Sequence, residues 1–208
     1  MHRRDELYFD RVHPFVPILR RSKFLGRSKQ PSCPPSYVCK QYAAWTLAAA
    51  LSSQFQDRSH SLYLATLEKF KDLDFAPQTT SKLPNSSEAH DQVPADIEIS
   101  YLDQAEAWIL IAFYEFMQDA FQRAWASAGR AIRLVQYMRL NVLDSHDGTG
   151  SAGNGQQENS PTNIAFLEEK RRTFWMAFCL DRFSCILGGI PLTLNEHLVC
   201  RLAWYCSL

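Results

Sequence analysis

Apolar residues recur at steps of three and four along most of this 208-residue chain, and no convincing alternating run interrupts them. That period is helical, because residues three and four apart share one face of an α-helix, whereas a strand repeats every second residue. After Pro34-Pro35-Ser36, which reads as a stop followed by an N-cap, Val38, Tyr42, Trp45 and Ala49 fall on one face. Tyr63, Leu67 and Phe70 continue the theme in a second helix. Leu102, Ala105, Ile109, Phe113 and Phe116 form a wide stripe, and Phe121, Ala124, Trp125, Ala128, Ile132 and Val135 form another. The break between them at Gln118-Asp119 predicts a tight helical hairpin.

Two stretches leave the pattern. Residues 74–95 mix Pro77, Pro84 and Pro94 with Ser, Thr, Asn and acids, and read as a loop. Residues 144–163 hold four of the eight glycines, and a composition that buries no core reads as a flexible insertion. The next helix, roughly 164–187, is apolar on most of its circumference through Phe174, Trp175, Phe178, Leu180, Phe183, Ile186 and Leu187, which predicts a central position. Gly188-Gly189-Ile190-Pro191 ends it, since glycine tolerates a left-handed cap and proline cannot continue. The expectation is an all-α, multi-helical array of stacked hairpins around that aromatic-rich helix. Residues 1–143 form the N-terminal helical part, 144–163 the insertion, and 164–208 the central helix and the end of the same domain. Ala124 to Val135 has tetratricopeptide-like small-residue spacing, but no second copy follows at a period of about 34 residues.

Composition narrows the class. Hydrophobic residues make up 46% of the chain and aromatics 12%, enough for one substantial core. A net charge of zero argues against the whole chain being a polyanion binder. The charge is uneven, with eight Lys/Arg against three acids in residues 1–30 and seven acids against one Lys in 74–106. The start, Met1-His2-Arg3-Arg4-Asp5-Glu6, lacks the apolar run of a signal peptide, and the longest charge-free stretch, Gln41 to Gln56, is too short and polar to cross a bilayer. An intracellular protein with no membrane partner and reduced thiols is expected. The six cysteines fall in pairs, Cys33/Cys39, Cys179/Cys185 and Cys200/Cys206, each separated by five residues. On a helix that spacing sets side chains about 240° apart, so they read as small apolar fillers rather than metal ligands. The histidines are dispersed, and neither a nucleophile elbow nor a phosphate-cradling loop is present. No catalytic, cofactor or metal residue is expected in this chain.

The most specific stretch lies late. Arg171-Arg172-Thr173-Phe174-Trp175 is followed by Asp181-Arg182 and then by Gly189-Ile190-Pro191. Upstream, Tyr8-Phe9 runs into His13-Pro14 and Pro17-Ile18, Phe24-Leu25 follows a basic turn, and Ala124-Trp125 precedes Ala131-Ile132-Arg133-Leu134 and Leu140-Asn141. These four blocks, in this order, resemble the fungal-specific transcription factor domain, the regulatory middle domain of zinc-cluster transcription factors. The likeness runs from about residue 5 to residue 199. Three positions depart from it: Arg139 where the family has glycine, Ile190 for the arginine of Gly-Arg-Pro, and Ala203 for a proline. The six closely spaced cysteines of the family's zinc cluster are not in this chain, and family members continue through further helices, so the chain reads as a piece of a larger regulator.

The resemblance implies a nuclear, non-catalytic regulatory domain. Its partners would be other domains of the full-length factor, protein partners or a small-molecule inducer, with DNA and zinc belonging to a missing N-terminal module. Within it, Arg171, Arg172, Phe174, Trp175, Asp181, Arg182, Gly189 and Pro191 are the expected structural and regulatory network. Asp181, set among apolar neighbours, needs a cation, with Arg171, Arg172 and Arg182 the candidates. Glu168-Glu169 ahead of Arg171-Arg172 read as helix-start electrostatics. Phe174, Trp175 and Phe178 read as core, with a ligand pocket as the sharper alternative. The five cations of Arg20 to Lys29 read as a solvated turn, with a phosphate or import role as the alternative. Two rival readings remain, an independent helical interaction scaffold and a small-molecule-binding helical domain.

Overall fold

The computed structural model describes residues 2–30, 32–75, 95–143 and 161–194. Most of the loop expected at 74–95, most of the glycine-rich insertion, and the segment carrying Leu198 to Ala203 and Cys206 lie outside the described residues. Among the described residues there are seven α-helices and no strand: α1 (His2–Arg11), α2 (Arg21–Arg27), α3 (Pro35–Ala50), α4 (Gln56–Phe75), α5 (Ala95–Met117), α6 (Phe121–Tyr137) and α7 (Pro161–Gly188). A short 3-10 turn at Leu140–Val142 follows α6. The fold is all-α, as the helical periodicity requires.

Local chemistry sets the ends of these helices. α3 begins with Pro35 in its first turn, where a missing N–H costs nothing, so Ser36 lies one residue inside the helix instead of capping it. The α5–α6 hairpin closes where the sequence breaks: Asp119 takes a left-handed φ of 54° and the Ala120 N–H donates to the Glu115 carbonyl at 3.0 Å. Aspartate tolerates that region better than most residues. α7 starts at Pro161, earlier than the periodicity suggests, because proline suits a first helical turn.

α3 and α5 are the innermost helices. α1, α4 and α5 pack around α3, while α6 and α7 pack on α5 and on each other. Tyr37, Ala43, Ala44 and Leu47 of α3 and Leu102, Ala105, Ile109 and Leu110 of α5 are almost fully enclosed. Phe70 of α4 stacks on Trp108 of α5 with ring centroids 3.7 Å apart. Two phenols pin the N-terminal helices: Tyr8 donates to the Val16 carbonyl and Tyr37 to the Phe24 carbonyl, both at 2.6 Å. α7 flanks this pair instead of lying at its centre. Its Phe174, Ala177 and Leu180 are buried, but Trp175, Phe183, Ile186 and Leu187 are exposed, Ile186 by 79%. An apolar circumference predicted a central helix, yet these four apolar side chains stay at least 38% exposed, even with Phe183 edge-on to Phe116 of α5 at 5.1 Å.

Candidate functional site

Six charged side chains from four helices converge in the interior. Lys40 of α3 sits between Asp103 and Glu106 of α5, with its Nζ 2.8 Å from Glu106 Oε2 and in ion-pair contact with Asp103. Asp103 also takes Arg27 of α2 at 3.3 Å, and Lys23 of α2 reaches Glu169 of α7 at 2.8 Å. Thr173, one turn beyond Glu169, donates to the Glu169 carbonyl at 2.9 Å and leans toward Glu106 Oε1 at 3.4 Å. Three cationic side chains face three carboxyl groups, so each of them has a partner of opposite kind within reach. Such a network meets the desolvation cost only because each ion keeps a partner.

The burial has a measurable consequence for Glu106. Removal from water pushes its carboxyl up from the ordinary 4.5 to about 8, with Glu169 and Asp103 adding to the push and Lys40 and Lys23 opposing it. Lys40 moves up as well, because Glu106, Asp103 and Glu169 together outweigh the burial that would lower it. A carboxyl displaced this far is often an acid–base group. Here Lys40, Asp103, Glu106 and Thr173 are at most 2% exposed, so a substrate has no access to them. What the arrangement can do is fix the register of α2, α3, α5 and α7 against one another.

A second cluster closes α7. Both oxygens of Asp181 accept the Thr193 N–H, at 3.1 and 3.0 Å, and Oδ2 also accepts the Leu194 N–H at 2.8 Å. Arg182 pairs with Asp181 at 3.0 Å, donates to the Leu194 carbonyl at 2.9 Å and lies 4.0 Å above the Phe178 ring. Gly189 makes this return of the chain passable: its φ of 61° is a conformation side chains resist, and its N–H donates to the Cys185 carbonyl at 2.9 Å. Pro191 then stands exposed between that glycine and the two captured amides.

Comparison with known proteins is unambiguous. Residues 6–200 match the family model described as fungal specific transcription factor domain. The chain belongs to that family. The domain is similar to the pigment biosynthesis transcriptional activator pigB of Monascus ruber, 42% identical over 94% of this chain and 32% of that protein. It is also similar to the transcription factor tazR of Aspergillus terreus, 39% identical over 94% of this chain and 27% of that protein. The tropolone cluster transcription factor tropK of Talaromyces stipitatus is 37% identical over 92% of this chain and 30% of its own length. The chain thus spans about a third of the length of the curated relatives it matches. No solved structure gives a significant match.

The domain divides the expected network. Asp181, Arg182, Gly189 and Pro191 come together at the end of α7. Arg171 and Arg172 do not join them. Arg172 Nε donates to Glu168 at 2.7 Å, and Arg171 lies 3.9 Å from the same carboxylate, on an exposed turn. Nine or ten residues of helix separate these arginines from Asp181, more than their side chains span. Phe174 is core, 1% exposed, while Trp175 is 38% exposed and Phe178 half-buried, and the three rings lie against one another with centroids 5.5 to 6.3 Å apart. Glu168 and Glu169 are not helix-start charges either, because α7 begins two turns earlier and Glu169 is directed inward to Lys23.

The basic stretch expected to be a solvated turn is largely helix α2, and Lys23 and Arg27 turn into the ionic network. The residues not singled out from the sequence are Lys40, Asp103 and Glu106. A signal for them exists: Asp103 and Glu106 interrupt a helix whose positions 102–112 are otherwise apolar apart from Gln104, leaving no broad wet face for either acid.

Proposed function

We propose that this chain is the non-catalytic regulatory domain of a nuclear fungal transcription factor, acting by docking the outer face of α7 against another segment of the same longer polypeptide. DNA binding and a structural zinc cluster belong, in this reading, to a separate module. Membership of a family whose matched relatives are named transcription factors supports the regulatory role. The carrying observation is the stripe of Trp175, Cys179, Phe183, Ile186 and Leu187, spaced by three and four along α7 and open to solvent. A face of this kind on a helix invites another apolar helix face. Relatives about three times as long leave ample polypeptide to supply it. The ionic network behind α7 holds that stripe in a fixed orientation, so a contact there is transmitted to α2, α3 and α5 as a rigid displacement.

The test is a reporter assay with the full-length factor carrying F183E and I186E together. The reading expects reporter output to change at least fivefold while occupancy of the promoter stays constant. Unchanged output, with the variant present at normal abundance, would count against it.

A further inference from the structure

A second feature of the domain is a cleft of about 590 Å³ bounded by α1, α3 and the start of α4. α1 and α4 both pack on α3 and scarcely meet each other, which leaves the space between them open. Its wall is apolar: Leu7 from α1, Trp45 and Ala49 from α3, Leu62 from α4, and Phe55 from the turn before α4. Ala49 gives the cleft depth, since any larger side chain there would occupy it. The size falls within the range of about 300–1,000 Å³ typical of small-molecule sites, and so does the character, an apolar body with few polar groups.

The charged groups among them are both cationic. Arg4, Arg58 and Ser61 line the cleft, all three exposed. The Arg4 guanidinium lies 5.3 Å from the Trp45 ring centroid, over its face. Neither arginine forms an ion pair among the described residues, and the Ser61 hydroxyl has no hydrogen-bond partner there. The indole beneath Arg4 is itself held, because Trp45 Nε1 donates to Asp5 at 2.8 Å. Gln41 adds a longer bond to the same Asp5 oxygen at 3.4 Å. Asp5 is buried behind the ring and is not among the residues lining the cleft.

From this geometry we infer that the cleft binds an amphipathic small-molecule acid, an apolar body carrying one carboxylate. The body packs on Trp45, Ala49, Phe55 and Leu62. The carboxylate meets Arg4 and Arg58, whose planar donor forks match its two oxygens, and Ser61 donates to it. Arg4 keeps its stacking on Trp45 while doing so, because a guanidinium offers its face to the ring and its edge to the anion. This inference concerns the cleft alone and does not rest on the docking of α7, so either can fail without the other.

The test is isothermal titration of the whole chain with 1-naphthylacetate and with its uncharged counterpart, 1-naphthylacetamide. The acid is expected to bind at least tenfold more tightly than the amide. R4Q combined with R58Q should bring the acid down to the affinity of the amide. Ser61→Phe, which fills the mouth of the cleft from an exposed position, should weaken both by at least tenfold. All three positions are exposed, and circular dichroism of each variant checks that the fold is retained. Equal affinity for acid and amide, an acid preference that survives R4Q/R58Q, or no binding of either compound would overturn the inference.

Discussion

Lys40 of α3 and Glu106 of α5 meet at 2.8 Å with neither side chain reaching solvent. They join the two innermost helices, and their neighbours Asp103 and Glu169 carry the connection to α2 and α7. A buried pair of this kind contributes little compared with an apolar pair of the same shape, but the loss of one member leaves the other dry and without its partner.

Replacing Lys40 with Met therefore removes the cation shared by Asp103 and Glu106. The expected cost is about 3–5 kcal/mol of unfolding free energy, in the range for breaking a buried ion pair from one side. Urea denaturation followed by circular dichroism measures it, and a loss below about 1 kcal/mol, the scale of an exposed pair, would contradict the buried network.

Glu106 makes stability depend on pH in a definite direction. Its folded carboxyl titrates near 8 and its unfolded one near 4.5, so between those values the folded chain holds the extra proton. The associated stability is fully present below about pH 4.5 and is lost as pH rises through 8. The E106Q variant should lack this component. The difference in unfolding free energy between E106Q and the parent should therefore grow in favour of E106Q from pH 5 to pH 8, with a slope approaching about 1.4 kcal/mol per pH unit. His13, which burial and nearby Arg172 and Arg21 hold below its ordinary 6.5, has the opposite sign but cancels in that difference.

Arg139 ends α6 with φ 51° and ψ 37°, a left-handed conformation in which a Cβ is crowded. Glycine, the residue expected there from the family likeness, removes the crowding. Arg139→Gly should stabilise the domain by about 1 kcal/mol, seen as a rise in Tm. A fall in Tm would indicate that the side chain carries a compensating contact.

Asp181 holds the chain after Pro191 against α7 through two backbone amides and Arg182. Asp181→Ala leaves those donors unanswered and should cost about 2–3 kcal/mol, as for hydrogen bonds to a charged acceptor. Faster amide exchange at Thr193 and Leu194 is the local readout.

The exposed stripe of α7 predicts self-association of the isolated chain, since apolar faces without a partner pair with each other. Sedimentation equilibrium should show a concentration-dependent dimer that F183E/I186E converts to monomer. A monomeric parent chain at high micromolar concentration would contradict this.

Much of this architecture was legible from periodicity. The α5–α6 hairpin closes at Gln118-Asp119 as the stripes on either side require, and Gly189 takes the left-handed turn that ends α7. Periodicity gives which residues are apolar, not which apolar residues find partners. Phe121 and Trp125 lie on the same predicted stripe as Ala128 and Ile132, yet they end up exposed because α7 covers only part of α6. The ionic network was harder to read because charges ordinarily mark a wet surface. Lys40, Asp103 and Glu169 lie far apart in sequence, and nothing local ties one to another. Arg182, one of the cations expected for Asp181, does pair with it, but its backbone partners escaped for a related reason: they lie twelve and thirteen residues on and depend on how tightly the chain turns at Gly189.

The docking of α7 onto another part of its own polypeptide is the central claim, and Ile186, 79% exposed, is the position to interrogate. A photo-crosslinking amino acid placed there in the full-length factor, irradiated in cells and mapped by mass spectrometry, reads its neighbour directly. The account predicts an intrachain adduct to a segment outside the 208 residues described by this sequence. Adducts exclusively to other proteins, or none at all, would contradict it.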